Sequence, residues 1–194
     1  FQGPRGEEIR RLLLNRAPKY GNDDDAVDRL AARVFREYAQ EIARHTPPRG
    51  GYYGPSIQSL SGNVPQGRRV GATPDGRRAG TPLADNASPA PGADRLGPTA
   101  VLRSVAKLDA VLASNGTILN LKFHPSALRG EGELRKFVAM IRSFVDLKGM
   151  QVQFNLLSAD LLRAAQAHPE QYRTLVVKVA GYSALFAMLD RELQ

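Results

Sequence analysis

The chain has 194 residues, 42% of them hydrophobic, which suits one globular domain or part of a larger one. It holds no cysteine, which excludes a disulfide scaffold, and no run approaches the roughly 18 apolar residues of a membrane span. A formal charge of +8 raises nucleic acid as a partner, but the arginines are scattered, and Arg68-Arg69 and Arg77-Arg78 lack the interleaved aromatics of a stacking platform. Neither nucleic acid nor membrane is therefore expected as a partner.

Phe1-Gln2-Gly3-Pro4 reads as the remnant of a protease-cleavage linker, with native sequence from about Arg5. Residues 6–15 form a short amphipathic helix, and Asp23 to Asp25 cap a longer one in which Val27, Leu30, Val34, Tyr38 and Ile42 recur at helical spacing. Pro47-Pro48 and Gly50-Gly51 end it. From there to Pro98 the chain is rich in glycine and proline with little periodicity, a long irregular loop.

Thr99 then caps a helix with Leu102, Val105, Leu108 and Leu112 on one face, closed by Gly116, and a strand follows over 117–123. Leu134, Phe137, Val138, Ile141 and Val145 mark the next helix. Residues 150–156 alternate strictly: Met150, Val152, Phe154 and Leu156 face one way, and Gln151, Gln153 and Asn155 the other, towards either an active site or solvent. Ser158 caps a helix ending near His168-Pro169, and 174–179 is a third strand. This order predicts an α/β fold with a parallel or mixed sheet, organised as residues 5–98 (helical segment and long loop) and 99–194 (α/β segment).

Several chemical sites can be weighed on their residues. Gly71 to Gly76 has phosphate-loop spacing, but Arg77-Arg78 stands where Lys and Ser or Thr are needed, so nucleotide binding is not expected. Asp23, Asp24 and Asp25 lack the glycine and closing glutamate of a calcium loop, which leaves helix capping. His45, His124 and His168 are dispersed and no metal site is expected. His124, before Pro125 at a strand end, is read as a structural hydrogen-bonding group and Asp75 as a turn residue. With no signal peptide and no cysteine, a cytoplasmic location is expected, and the glycosylation-type triplets at Asn86 and Asn115 are chance matches.

The segment Val176-Val177-Lys178-Val179-Ala180-Gly181-Tyr182-Ser183-Ala184 is a β-branched run that stops at a glycine and continues into an apolar helical pattern. Read alone, Gly181 is ordinary punctuation after a strand. The segment nevertheless resembles the signature of glycyl radical enzymes, of lyase, dehydratase or decarboxylase type within the pyruvate formate-lyase-like superfamily. Residues 71–85, Ser88-Pro89, 97–100, Pro18 to Asp25, Gln153-Phe154-Asn155, Ala165-Gln166 and 169–173 resemble further family landmarks in the expected order. The resemblance covers nearly the whole chain from about Gly6. It departs from the family pattern at Lys178, where arginine is usual.

The resemblance implies a barrel enzyme whose C-terminal portion this is, an organic radical stored on the Cα of Gly181, and Val179, Ala180 and Tyr182 as its motif. It implies an anaerobic, iron-sulfur and S-adenosylmethionine-dependent activase as partner. Those cofactors are the activase's, and none is expected to be bound by this chain. The family passes the radical to a cysteine, and this sequence has none, so it is not expected to turn over alone. Either it is a truncation needing the rest of the enzyme, or it is a separate radical carrier docking on a cysteine-bearing partner. A plain α/β interaction domain is the third reading. Glycine suits the radical because the centre must be planar for amide donation and carbonyl withdrawal, and because glycine reaches backbone conformations closed to other residues.

Overall fold

The computed structural model describes residues 1–191, 193 and 194. Helix α1 (Gly3–Asn15) starts with Pro4 in its first turn, and α2 (Asp25–Ala43) is capped by the Asp24 carboxylate, which accepts from the Ala26 amide. The expected apolar face of α2 is rotated away from the protein. Ala32, Phe35 and Ala39 are buried together with Asp28, whereas Leu30, Val34 and Tyr38 are exposed. Helical spacing marks a stripe, and the packing partner decides which stripe is used.

The long loop is mostly irregular, but it contains α3 (Asn63–Arg69) and a parallel bridge from Ile57 to Thr117. It is fixed from both sides. Arg77 donates to the carbonyls of Val70, Gly71, Arg78 and Thr81, so the loop folds around its own guanidinium. The Pro18–Asp25 segment closes on it from outside: Asn22 donates to the Ala93 carbonyl at 2.7 Å and accepts from the Arg95 and Leu96 amides, and Lys19 reaches the Asp75 carbonyl. At Gly21, with φ of 96°, a Cβ would lie 2.1 Å from the Pro89 ring, so only glycine admits this approach.

Helix α4 (Pro98–Ala106) is shorter than expected. Gly97 rather than Thr99 occupies its cap, and Leu108 and Leu112 fall in the following turn and a short 3-10 segment. Strand β1 (Asn120–Phe123), α5 (Glu131–Asp146), β2 (Gln153–Leu156) and α6 (Ala159–Ala167) follow, with Ser158 capping α6 through the Leu161 amide. β1 and β2 pair in parallel, Asn120 opposite Gln153 and Leu121 opposite Phe154. Val101, Leu102, Val105, Leu119, Leu121 and Phe144 form the dry core, with Val152 and Phe154 packed on it.

The third expected strand does not join that sheet by backbone pairing. β3 (Val176–Lys178) instead forms an antiparallel hairpin with β4 (Ser183–Leu185), where the apolar run after Gly181 predicts a helix. Among the described residues a short 3-10 turn, Phe186–Met188, is the only helical segment that follows. The fold is α/β as expected, with two two-stranded sheets among the described residues in place of one three-stranded sheet.

Candidate functional site

Gly181 sits in the hairpin turn Val179-Ala180-Gly181-Tyr182, which is closed by the Val179 amide donating to the Tyr182 carbonyl at 3.0 Å. Its φ is 77°, in the left-handed region that costs an L-residue about 1–2 kcal/mol. A Cβ there would meet only the Ile118 methyl at 3.6 Å, an ordinary contact. Backbone conformation, rather than crowding, makes the position glycine's. Ala180 is buried and pins the turn, while Gly181 and Tyr182 are exposed.

Side chains, not main chain, attach this hairpin to the parallel sheet. The Asn155 carboxamide makes a bidentate pair with Lys178, accepting from its amide at 2.8 Å and donating to its carbonyl at 2.6 Å, which reproduces one rung of a β-ladder. Gln153 Oε1 accepts from the Gly181 amide at 3.0 Å. Gln153 Nε2 donates to Asn120 Oδ1, and Asn120 Nδ2 donates to the Val179 carbonyl at 2.8 Å and to Asp85 Oδ2 at 2.6 Å. The amide-bearing face of β2 thus looks onto the glycine turn. Gln151 serves elsewhere, accepting from the Leu119 amide.

The parallel register explains the arrangement, because pairing Asn120 with Gln153 sets both carboxamides side by side on one face of the sheet. Asn120 escaped the sequence reading because it lies within an apolar strand. Its parity, opposite to buried Leu119 and Leu121, is the signal that marks it. Lys178 keeps its ammonium beside the Ser183 hydroxyl at 2.7 Å. A cleft of about 370 Å³ opens beside the hairpin, walled by Asp85, Pro89, Asn120, Asn155, Val177 and Val179.

The other sequence candidates lie apart from this turn. Asp23 and Asp25, with fully buried Asp28, converge on the Lys107 ammonium at 2.7 to 2.8 Å, and Ser104 donates to Asp28. Burial alone would lower the Lys107 pKa, but its three carboxylate partners outweigh burial and raise it. Asp23 and Asp25 are correspondingly lowered, chiefly by their hydrogen bonds to Lys107. This ion network is a clamp between α2 and α4. Asp75 holds a turn with Thr73, and His124 caps its own 3-10 turn through the Ser126 amide. Among the described residues no group of three or more His, Cys, Asp or Glu is placed to hold a metal ion.

Comparison with known proteins shows the family. Residues 83–187 match the glycine radical family and residues 1–67 the pyruvate formate lyase-like family. The chain belongs to the glycyl radical family. It is similar to a probable dehydratase, YbiW, of Escherichia coli, at 47% identity over all of this chain and 25% of the relative. It is also similar to the trans-4-hydroxy-L-proline dehydratase of Clostridioides difficile, at 38% identity over 97% of this chain and 24% of the relative. Among solved structures, the B12-independent glycerol dehydratase of Clostridium butyricum superposes with a TM-score of 0.93 at 51% identity, over 97% of this chain and 24% of that one. The chain therefore spans about a quarter of the length of these relatives.

Proposed function

We propose that this chain is the radical-storing portion of a glycyl radical dehydratase, lyase or decarboxylase, with Gly181 as the radical carrier and Val179, Ala180 and Tyr182 as its turn. The observation that carries this is Gly181 itself: it occupies an exposed, left-handed turn inside the matched region, with its amide held by Gln153. An activase with an iron-sulfur cluster and S-adenosylmethionine removes a hydrogen atom from the Gly181 Cα, leaving one unpaired electron on that carbon. Gly181 recovers a hydrogen atom from a thiol in the remainder of the enzyme, which supplies the cysteine this sequence lacks. The activase and that cysteine-bearing portion are the partners, and the anaerobic cytoplasm is the setting. Residues 5–98 and 99–194 act as the supporting loop segment and the radical-bearing segment.

The test is electron paramagnetic resonance of the chain treated anaerobically with a glycyl radical activase, reductant and S-adenosylmethionine. The expected result is a doublet, split by the single remaining Cα hydrogen, that Gly181→Ala abolishes. No doublet in the native chain, or one surviving in the variant, overturns the proposal. The activated chain alone turns over no substrate, and product formation without a thiol-bearing partner would contradict the relay.

A further inference from the structure

The hydrogen bonds behind Gly181 all run in one direction. The Gly181 amide can only donate, so Gln153 must present its oxygen there and its nitrogen to Asn120. Asn120 must then accept through Oδ1 and present its nitrogen to Asp85, whose carboxylate can only accept. The two ends of the chain thus fix the orientation of both carboxamides, and the Val179 carbonyl, also an acceptor, fixes Asn120 a second time. The sequence is Gly181 N–H to Gln153, to Asn120, to a carboxylate.

Such a chain polarises each link in the same sense. Donation to the Asp85 carboxylate makes Asn120 Oδ1 a stronger acceptor, which does the same to Gln153 Oε1, which in turn draws on the Gly181 N–H proton. Electron density is thereby left on the Gly181 nitrogen, the atom that donates into an adjacent Cα radical. The relay also locks the peptide plane at the site where planarity is needed.

Asp85 is itself held. Asn86 Nδ2 donates to its other oxygen at 2.5 Å, and Asn86, at φ of 53°, accepts from the Ser59 and Leu60 amides. The long glycine- and proline-rich loop therefore ends, chemically, at the glycine turn some 96 residues later in the chain.

We infer that Asp85, Asn120 and Gln153 are a directional hydrogen-bond relay that positions and polarises the Gly181 amide, so that the central loop tunes the radical glycine through two carboxamides. The inference rests on Gly181 being the radical carrier, but its test does not need the radical. In the unactivated, nitrogen-15-labelled chain, Asp85→Asn should move the Gly181 amide proton upfield and raise its exchange rate by up to about twofold, because the bond to Gln153 stays and only its polarisation, roughly 10–30% per link, is lost. Gln153→Met should do more. In the Gln153→Met background Asp85→Asn should add nothing, because the relay is already cut. The Leu119 amide, held by Gln151 off the relay, should stay unchanged and reports that the fold is intact. An unaltered Gly181 amide in Asp85→Asn, or additive effects in the double variant, overturns the relay and leaves the radical assignment standing. Failure to form a radical would overturn that assignment and leave the relay result untouched.

Discussion

The core beneath β1 and β2 and the hairpin bearing Gly181 are built on opposite principles. Val101, Leu102, Leu119, Leu121 and Phe144 exclude water and bind one another without direction, so no single contact is indispensable and the whole resists opening together. The hairpin rests on a smaller cluster of Ala165, Val177 and Phe186, and it is registered by the carboxamides of Asn120, Gln153 and Asn155. Each of those contacts is worth about 1 kcal/mol net. A few directed bonds can be exchanged for water or for another protein at modest cost, whereas a dry core cannot. On the proposed function, the turn that meets the activase is the part attached by replaceable contacts.

The contrast can be broken most forcefully in the core. Phe144→Ala should lower global stability by about 3–5 kcal/mol, read as a fall in the urea midpoint with every protected amide exchanging together. If only the hairpin amides responded, the division into two regimes would fail. The ion network is a smaller lever. Lys107→Met leaves the charge of fully buried Asp28 without its ammonium, a loss of about 2 kcal/mol that separates α2 from α4 in chemical denaturation. An unchanged midpoint would show that this clamp is idle.

Asn155→Leu sharpens the comparison from the other side. Losing both bonds to Lys178 should speed exchange of hairpin amides roughly tenfold or more while the urea midpoint moves little. A global loss equal to that of Phe144→Ala would mean the hairpin is part of the main cooperative unit. The smallest effect belongs to acid. The Glu7 carboxyl is held down at about 2, mainly by its hydrogen bonds to Arg10, with the Arg10 and Arg78 charges assisting. A lowered pKa stabilises the fold above the ordinary carboxylate range, and that contribution is lost as pH falls from about 4.5 towards 2. Nuclear magnetic resonance titration should show Glu7 ionised below pH 4 and the α1 contact with Arg78 released only near the bottom of that window. Release already at pH 4 would contradict it.

Much of this was legible in the sequence where the signal is local. The Asp24 and Ser158 caps, the α/β order and, of the expected alternation over 150–156, the part from Gln153 to Asn155 all follow from spacing within one element. What was not legible depends on a partner distant in sequence. The apolar stripe of α2 reads as Leu30, Val34 and Tyr38, yet the buried stripe follows Asp28, because Ser104 and Lys107 of the distant α4 region claim that carboxylate. The run after Gly181 has helical spacing, but its antiparallel pairing with β3 draws it into a strand. Gly181 was visible as a motif. Asn120 and Asp85 acquire meaning only through the parallel register and the closed loop.

The most direct test of the central claim is the fate of the backbone in air. The activated chain is exposed to oxygen and its fragments are weighed by mass spectrometry. The account predicts a single new break at Gly181, giving a large fragment that ends near Ala180, and no break in Gly181→Ala. An activated chain that stays intact in oxygen, or one that breaks at another residue, would contradict the assignment of the radical to Gly181.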